Sequence, residues 1–237
     1  VLIYQYPPLI PGILIRRYQR FFAEIELASG EKIIAHCPNT GRMTGVCQPG
    51  SLVQVSPQNN PRRKLPYTWE MIQVKSEIWV GVNTNLPNLV IRLALEKRIF
   101  TQLNPHYRAI RSEVPYGKKS RIDFLLTKEE KDPPVYLEVK NTTLAQANRA
   151  LFPDTVTTRG QKHLQELMTL LPQAIAVMLY FINRSDCTEF APGDEWDPTY
   201  GKLLRSAQGQ GLLILPCRFE VNPEGIHYLG TANLCLE

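Results

Sequence analysis

The stretch Ile122–Leu144, IDFLLTKEEKDPPVYLEVKNTTL, decides how this chain is read. Two apolar runs flank a charged turn with two prolines, and each run carries one carboxylate, Asp123 in the first and Glu138 in the second. On strands, alternate residues face opposite ways, so Glu138 and Lys140 share a face that Leu137 and Val139 do not. A carboxylate inside such a strand is costly unless it has a partner. Two of them with a lysine alongside can hold a divalent cation through oxygen ligands and orient a water beside a phosphodiester. On that reading Asp123 and Glu138 bind Mg2+ or Mn2+, and Lys140 stabilises charge on the attacked phosphate or orients the water. Glu113, ending the preceding strand, adds a ligand, adjusts the water, or is a surface carboxylate. The plainer alternative for the whole stretch is a pair of ordinary strands with solvent-facing charges and a salt bridge.

Around this stretch the sequence reads as mixed α/β. Asn85 onward, NLPNLVIRLALEKRI, predicts a helix capped by Asn85, with Pro87 in its first turn and Leu89, Val90, Leu93 and Ala94 as its apolar stripe. Strands are expected over Tyr107–Val114, Arg121–Leu126, Pro134–Val139 and Leu212–Phe219. Ala174–Ile182, AIAVMLYFI, is continuously apolar, as befits a central strand covered on both faces. A second helix starts near Thr158. A third starts at Asp197, with Pro198 at its first position and Gly209 beyond its end.

The helix at 158 supplies further candidates. Arg159, His163 and Glu166 fall on one face, with Gln161 and Lys162 close by. A helix N-terminus carrying Arg159, Gln161 and Lys162 suits a phosphate. His163 could act as a general acid or donate to the phosphate, or it is structural. Lys162 and Glu166 also form an i,i+4 pair that supports the helix locally.

Before Asn83 the chain is β-rich. Gly12–Leu27, Glu31–His36, Ser51–Ser56, Tyr67–Val74 and Glu77–Val82 read as short strands between turns, which favours a small barrel or sandwich, an OB-type barrel first. The chain has 237 residues and a net charge of +5, and the excess lies early: residues 1–75 hold nine Arg or Lys against four Glu. Such a barrel would bind nucleic-acid backbone through Arg16, Arg17, Arg20 and the run Arg62, Arg63, Lys64. In AHCPNTGRM, Asn39, Thr40 and Gly41 could offer backbone N–H groups to a phosphate with Arg42 beside them, although a tight turn requiring glycine explains the same residues. Two domains are therefore expected, 1–83 and 84–237. The five cysteines are odd in number and widely spaced, with no CxxC, so free thiols rather than a zinc module are expected. With no apolar run long enough to span a bilayer and no signal-peptide pattern, a cytoplasmic location without membrane contact is expected.

The phrases RYQRFFAEIEL, HCPNTGRM, RRKLPYTWE, WVGVNTNLPN, IRSEVPYGKKSRIDFLL, YLEVKNTTL and FPDTVTTRGQKHLQEL span residues 17–167, and FINRSDCTEFAPGDEWDPTY follows at 181–200. Together they resemble the sugar fermentation stimulation protein family (SfsA). The resemblance implies a DNA-binding protein linked to sugar fermentation genes, with an OB-type domain joined to a domain of the PD-(D/E)xK nuclease kind. It places Glu113, Asp123, Glu138 and Lys140 on the nuclease-like positions. Three functions compete. One is a DNA-binding protein with a Mg- or Mn-dependent phosphodiesterase site. Another is a non-catalytic DNA-binding regulator of sugar metabolism genes. The last is an enzyme acting on a small phosphorylated metabolite, which would not need the basic first 75 residues. Oligomeric state is left open, a homodimer included.

Overall fold

The computed structural model describes residues 1–58, 61–117 and 120–237. After a short strand β1 (Leu2–Gln5), six strands follow: β2 (Ile10–Tyr18), β3 (Phe22–Leu27), β4 (Lys32–His36), β5 (Leu52–Pro57), β6 (Tyr67–Gln73) and β7 (Trp79–Gly81). They are ordered β4-β3-β2-β5-β6-β7, and a parallel pairing of β4 with β6 at His36 and Thr68 closes the first five into the expected OB-type barrel. Leu14, Ile25, Val53, Val55, Trp69 and Ile72 fill it. Each such side chain contributes roughly 1.5–3 kcal/mol by leaving water.

The rest is a mixed α/β domain. It comprises α1 (Leu86–Glu96), β8 (Ala109–Tyr116), β9 (Ser120–Thr127), β10 (Val135–Thr142), a hairpin of β11 (Leu144–Gln146) and β12 (Arg149–Phe152), and α2 (Thr158–Met168). Then come β13 (Ile175–Ile182), β14 (Glu189–Pro192), α3 (Pro198–Gly209), β15 (Leu213–Val221), β16 (Gly225–Thr231) and β17 (Asn233–Leu234). The main sheet runs β1-β16-β15-β13-β10-β9-β8, with β10, β13 and β15 parallel. The continuous apolar run is indeed central. Val177, Leu179 and Phe181 of β13 pack with α1 on one face, while Ala176, Met178, Tyr180 and Ile182 pack with α2 and α3 on the other. A smaller sheet, β11-β12-β14-β17, lies beside it. No described helix is long and apolar enough to cross a membrane.

Four sequence expectations change. The boundary at 83/84 leaves residues 2–5 with the barrel, yet β1 pairs with β16 in the second domain's sheet, where Ile3 and Tyr6 join its core. Gly12–Leu27 is two strands. It breaks at Gln19 and Arg20, both at positive φ (48° and 65°) and neither a turn residue that sequence rules would flag. On α1 the buried stripe is Pro87, Val90, Ile91, Ala94 and Leu95, turned away from Leu89, which is 43% exposed. Gly41 has no positive φ; its N–H is bonded to Asn39 Oδ1 in a local side-chain turn.

The barrel is docked on the second domain by close backbone contact. Val80 bridges to Arg184, and Gly81 N–H donates to Asn183 O. A Cβ at Gly81 would clash with the Asn183 side-chain amide, which a larger residue there would have to displace.

Arg17 holds the strained turn. One Nη2 reaches the carbonyls of Arg20, Asn39 and Gly41 at 3.1, 2.8 and 3.0 Å. Its guanidinium is thus committed to the chain rather than to a phosphate. Arg17→Ala should lower unfolding free energy by about 2 kcal/mol, the scale of hydrogen bonds to a charged group. Arg20→Ala, at an exposed position, should change it by less than about 0.5 kcal/mol. Equal losses in denaturant titrations would contradict this assignment.

Candidate active site

Strands β9 and β10 pair only through Leu126–Val135, Leu125–Tyr136 and Phe124–Leu137. Beyond that point the Asp123 carboxylate takes the place of the ladder: Val139 N–H donates to Asp123 Oδ2 at 2.7 Å. The other oxygen, Oδ1, accepts from Asn88 Nδ2 of α1 at 2.8 Å. The carboxylate is thereby fixed in plane between a strand and a helix, where the two strands part.

Glu138 is held from the opposite side of the sheet. It is 3% exposed. Lys140 Nζ lies 2.6 Å from its Oε1, as the shared strand face predicts, and His163 Nδ1 of α2 contacts the same oxygen. His163 Nδ1 faces both the Glu138 oxygen and Lys140 Nζ, the latter at 3.1 Å; toward an ionised carboxylate it donates, and its Nε2 then accepts from Arg159 Nε at 3.4 Å. The donor chain runs from Arg159 through His163 to Glu138, with Lys140 as a second donor. Glu138 Oε2 is buried and has no hydrogen-bond partner among the described residues.

These groups line one cleft of about 380 Å3, floored by Asp123, Glu138 and Lys140 and bordered by Asn88, Arg159 and His163. Burial, and then the negative charge of Glu138, push the Asp123 carboxyl up to about 6, against the lowering effects of Val139 N–H, Lys140 and Asn88. Burial would raise Glu138 too, but the His163 bond and the Lys140 charge outweigh it and hold that carboxyl below the usual range. The site thus pairs a firmly ionised acid with one whose proton is loosely kept. An orphaned buried oxygen beside a second carboxylate is a donor set of hard oxygens, the kind Mg2+ and Mn2+ take. Asp123 and Glu138 would supply two such ligands; no group of three or more His, Cys, Asp or Glu side chains that could hold a metal occurs among the described residues.

The other sequence candidates are placed differently. Glu113 sits at positive φ (54°) on edge strand β8, between the pairs Ser112–Phe124 and Val114–Ile122 and so level with Asp123. It is exposed and does not line the cleft. Gln161 is spent on Asp197, whose two oxygens it meets at 2.9 Å each. Asp197 also caps α3 and accepts from Thr157 N–H, so this cluster joins α2 to α3. Lys162 pairs with Glu166 at 3.5 Å. His163 is buried with both nitrogens engaged, which fits holding Glu138 better than meeting substrate. Sequence reading missed Asn88. Its only trace was an amide in the first turn of a helix, which propensity explains equally well. Arg20, Arg42, Arg63 and Lys64 are exposed on the barrel.

An OB-type barrel docked against a mixed α/β domain, with an acidic cleft at a strand split, defines the class. Comparisons agree with it and give the family. Residues 15–82 match the description "SfsA N-terminal OB domain", and residues 85–225 match "Sugar fermentation stimulation protein RE domain". A sugar fermentation stimulation protein homolog of Rippkaea orientalis is 68% identical over 98% of this chain and 96% of its own. One from Trichormus variabilis is 64% identical over 99% and 98%. The structure of Pyrococcus furiosus SfsA in complex with Ca2+ superposes with a TM-score of 0.89 over 99% of both chains, at 24% identity. The chain belongs to the sugar fermentation stimulation protein family.

Asp123 gives a pH signature. Its folded pKa near 6 exceeds the unfolded value of about 3.9, so its favourable contribution is present below about pH 4 and is lost as pH rises through 6. In metal-free buffer, the stability difference between Asp123→Asn and the parent should move in favour of the variant by about 2 kcal/mol between pH 4 and pH 7. Hydrogen bonds lost to the amide shift the whole curve but not this change. A difference that is flat with pH would contradict the raised carboxyl.

Proposed function

We propose that this chain is a divalent-metal-dependent nuclease whose phosphodiester site is the Asp123–Glu138 cleft and whose barrel binds nucleic acid, DNA first. The observation that carries the proposal is the buried Oε2 of Glu138, without a hydrogen-bond partner among the described residues, on a side chain that lines one cleft with Asp123 and Lys140. Asp123 and Glu138 would hold Mg2+ or Mn2+. When bound, the ion would polarise the phosphate and acidify a water. The Ca2+ in the Pyrococcus furiosus relative is a cation of the same oxygen-seeking kind.

The chain's own residues then have distinct work. Lys140, anchored on Glu138, presents positive charge where the phosphate becomes more negative in the transition state. Arg159, exposed at the cleft's edge, meets the phosphate before reaction. His163 is a positioning residue that keeps Glu138 ionised and oriented, and Asn88 does the same for Asp123. Hydrolysis is redox-neutral: the water oxygen bonds to phosphorus, one P–O ester bond breaks, and the water's proton ends on the departing oxygen.

Lys140→Ala tests this. It should bind DNA nearly as well as the parent, since one lysine adds little to an extended backbone footprint, yet cleave roughly 10²-fold more slowly or worse. The assay is a panel of single-stranded, duplex, nicked and branched DNA, plus RNA, with Mg2+, Mn2+ or chelator. Tight DNA binding by the parent without metal-dependent cleavage of any substrate would favour the regulator reading instead.

A further inference from the structure

The barrel presents one end to the cleft, and strand register fixes which. Tyr18 pairs with Phe22, Phe22 with His36, His36 with Thr68, and Thr68 with Ser56. The β2–β3 turn, the loop after β4 and the β5–β6 connection therefore emerge together as one rim. Arg20, Arg42, Arg63 and Lys64 stand on it, and its described residues 19–22, 37–42, 57–58 and 61–66 include no Asp or Glu.

Phe21 lies on this rim at 48% exposure. Its neighbours do not need its ring: Tyr18 and Phe22 stack on each other at 5.3 Å between centroids. Its backbone is pinned, with Phe21 O accepting from Cys37 N–H at 2.7 Å and Arg20 O held by Arg17. The rim also meets the cleft directly. Thr84 Oγ1 donates to Pro38 O. Asn39 and Gly41 line a groove with Thr84 and Asn141, and those last two also line the cleft of Asp123 and Glu138.

We propose that the rim is a platform for an unpaired nucleic-acid strand, with a base stacked on Phe21 and the backbone led past Arg42 and Thr84 into the Asp123–Glu138 cleft. A duplex hides its base faces in its own stack, so an exposed ring among cations selects a strand that is single or locally opened. The cations alone would bind either form through phosphates. The proposal rests on the phosphodiester reading of the cleft for where the strand leads, but not for how the rim holds it.

The test is fluorescence anisotropy with the full chain in EDTA at fixed salt, using labelled single-stranded DNA, single-stranded RNA and a blunt duplex of the same sequence. The parent should bind at least one single strand more tightly than the duplex, and the DNA and RNA arms tell which. Phe21→Ala and Phe21→Leu should lose roughly ten-fold for that strand with little change on duplex, while Phe21→Trp should retain it, because stacking on one base is worth about that much. Arg42→Ala should weaken both forms and lower the salt slope by about 1. Equal or tighter duplex binding by the parent, or unchanged single-strand binding by Phe21→Ala, overturns the proposal. Because every reading is taken without metal, the result is independent of whether the cleft cleaves.

Discussion

Glu138 lies in an apolar sheet at 3% exposure, and much of the surrounding structure answers the cost of ionising it there. Lys140 can reach it only because two residues on a strand share a face. His163 can reach it only because α2 packs on that face, and Arg159 fixes the imidazole one helical turn away. The charge is compensated on one oxygen, while the other has no hydrogen-bond partner among the described residues. The same charge acts across the strand split on Asp123, whose carboxyl is pushed up by burial and by its neighbour. The two acids are thus one electrical unit, supplied from opposite layers: α1 holds Asp123 through Asn88, and α2 holds Glu138 through His163.

The barrel is tied to this unit by short connections. Asn183, whose carbonyl meets Gly81, also donates through its side chain to Asn141 at 3.1 Å, and Asn141 lines the cleft. Glu70, buried in β6, is bonded to Ser56 and Asn83, and Asn83 accepts from the N–H of Asn85 at the start of α1. The start of the helix that carries Asn88 is therefore set partly by the barrel. Barrel contacts thus reach two residues that line the cleft, Asn85 and Asn141, while β1 is paired with β16 of the second sheet.

What was legible in the sequence follows physical rules that act locally. The nine-residue apolar run had to be a central strand, and Asp197 followed by Pro198 had to open a helix. The i,i+2 spacing of Glu138 and Lys140 had to put both on one face. Less legible were features decided by tertiary contact. Gln19–Arg20 turns without glycine or asparagine because Arg17, distant in sequence from Asn39 and Gly41, ties the loops together. Gln161 looked like a phosphate ligand on its helix, but the start of α3 brings Asp197 to it. Strands β1, β12, β14 and β17 are short, and partners remote in sequence define them. The rim was visible only as scattered basic residues, since its unity depends on barrel closure at His36 and Thr68.

The claim at the centre of this account is that Asp123 and Glu138 together form a seat for one divalent cation. Calorimetric titration of the metal-free protein with Mn2+ tests it most directly, with Asp123→Ala and Glu138→Ala beside the parent. The account predicts one saturable site in the parent and its loss in both variants. Undiminished affinity in the two variants would contradict it.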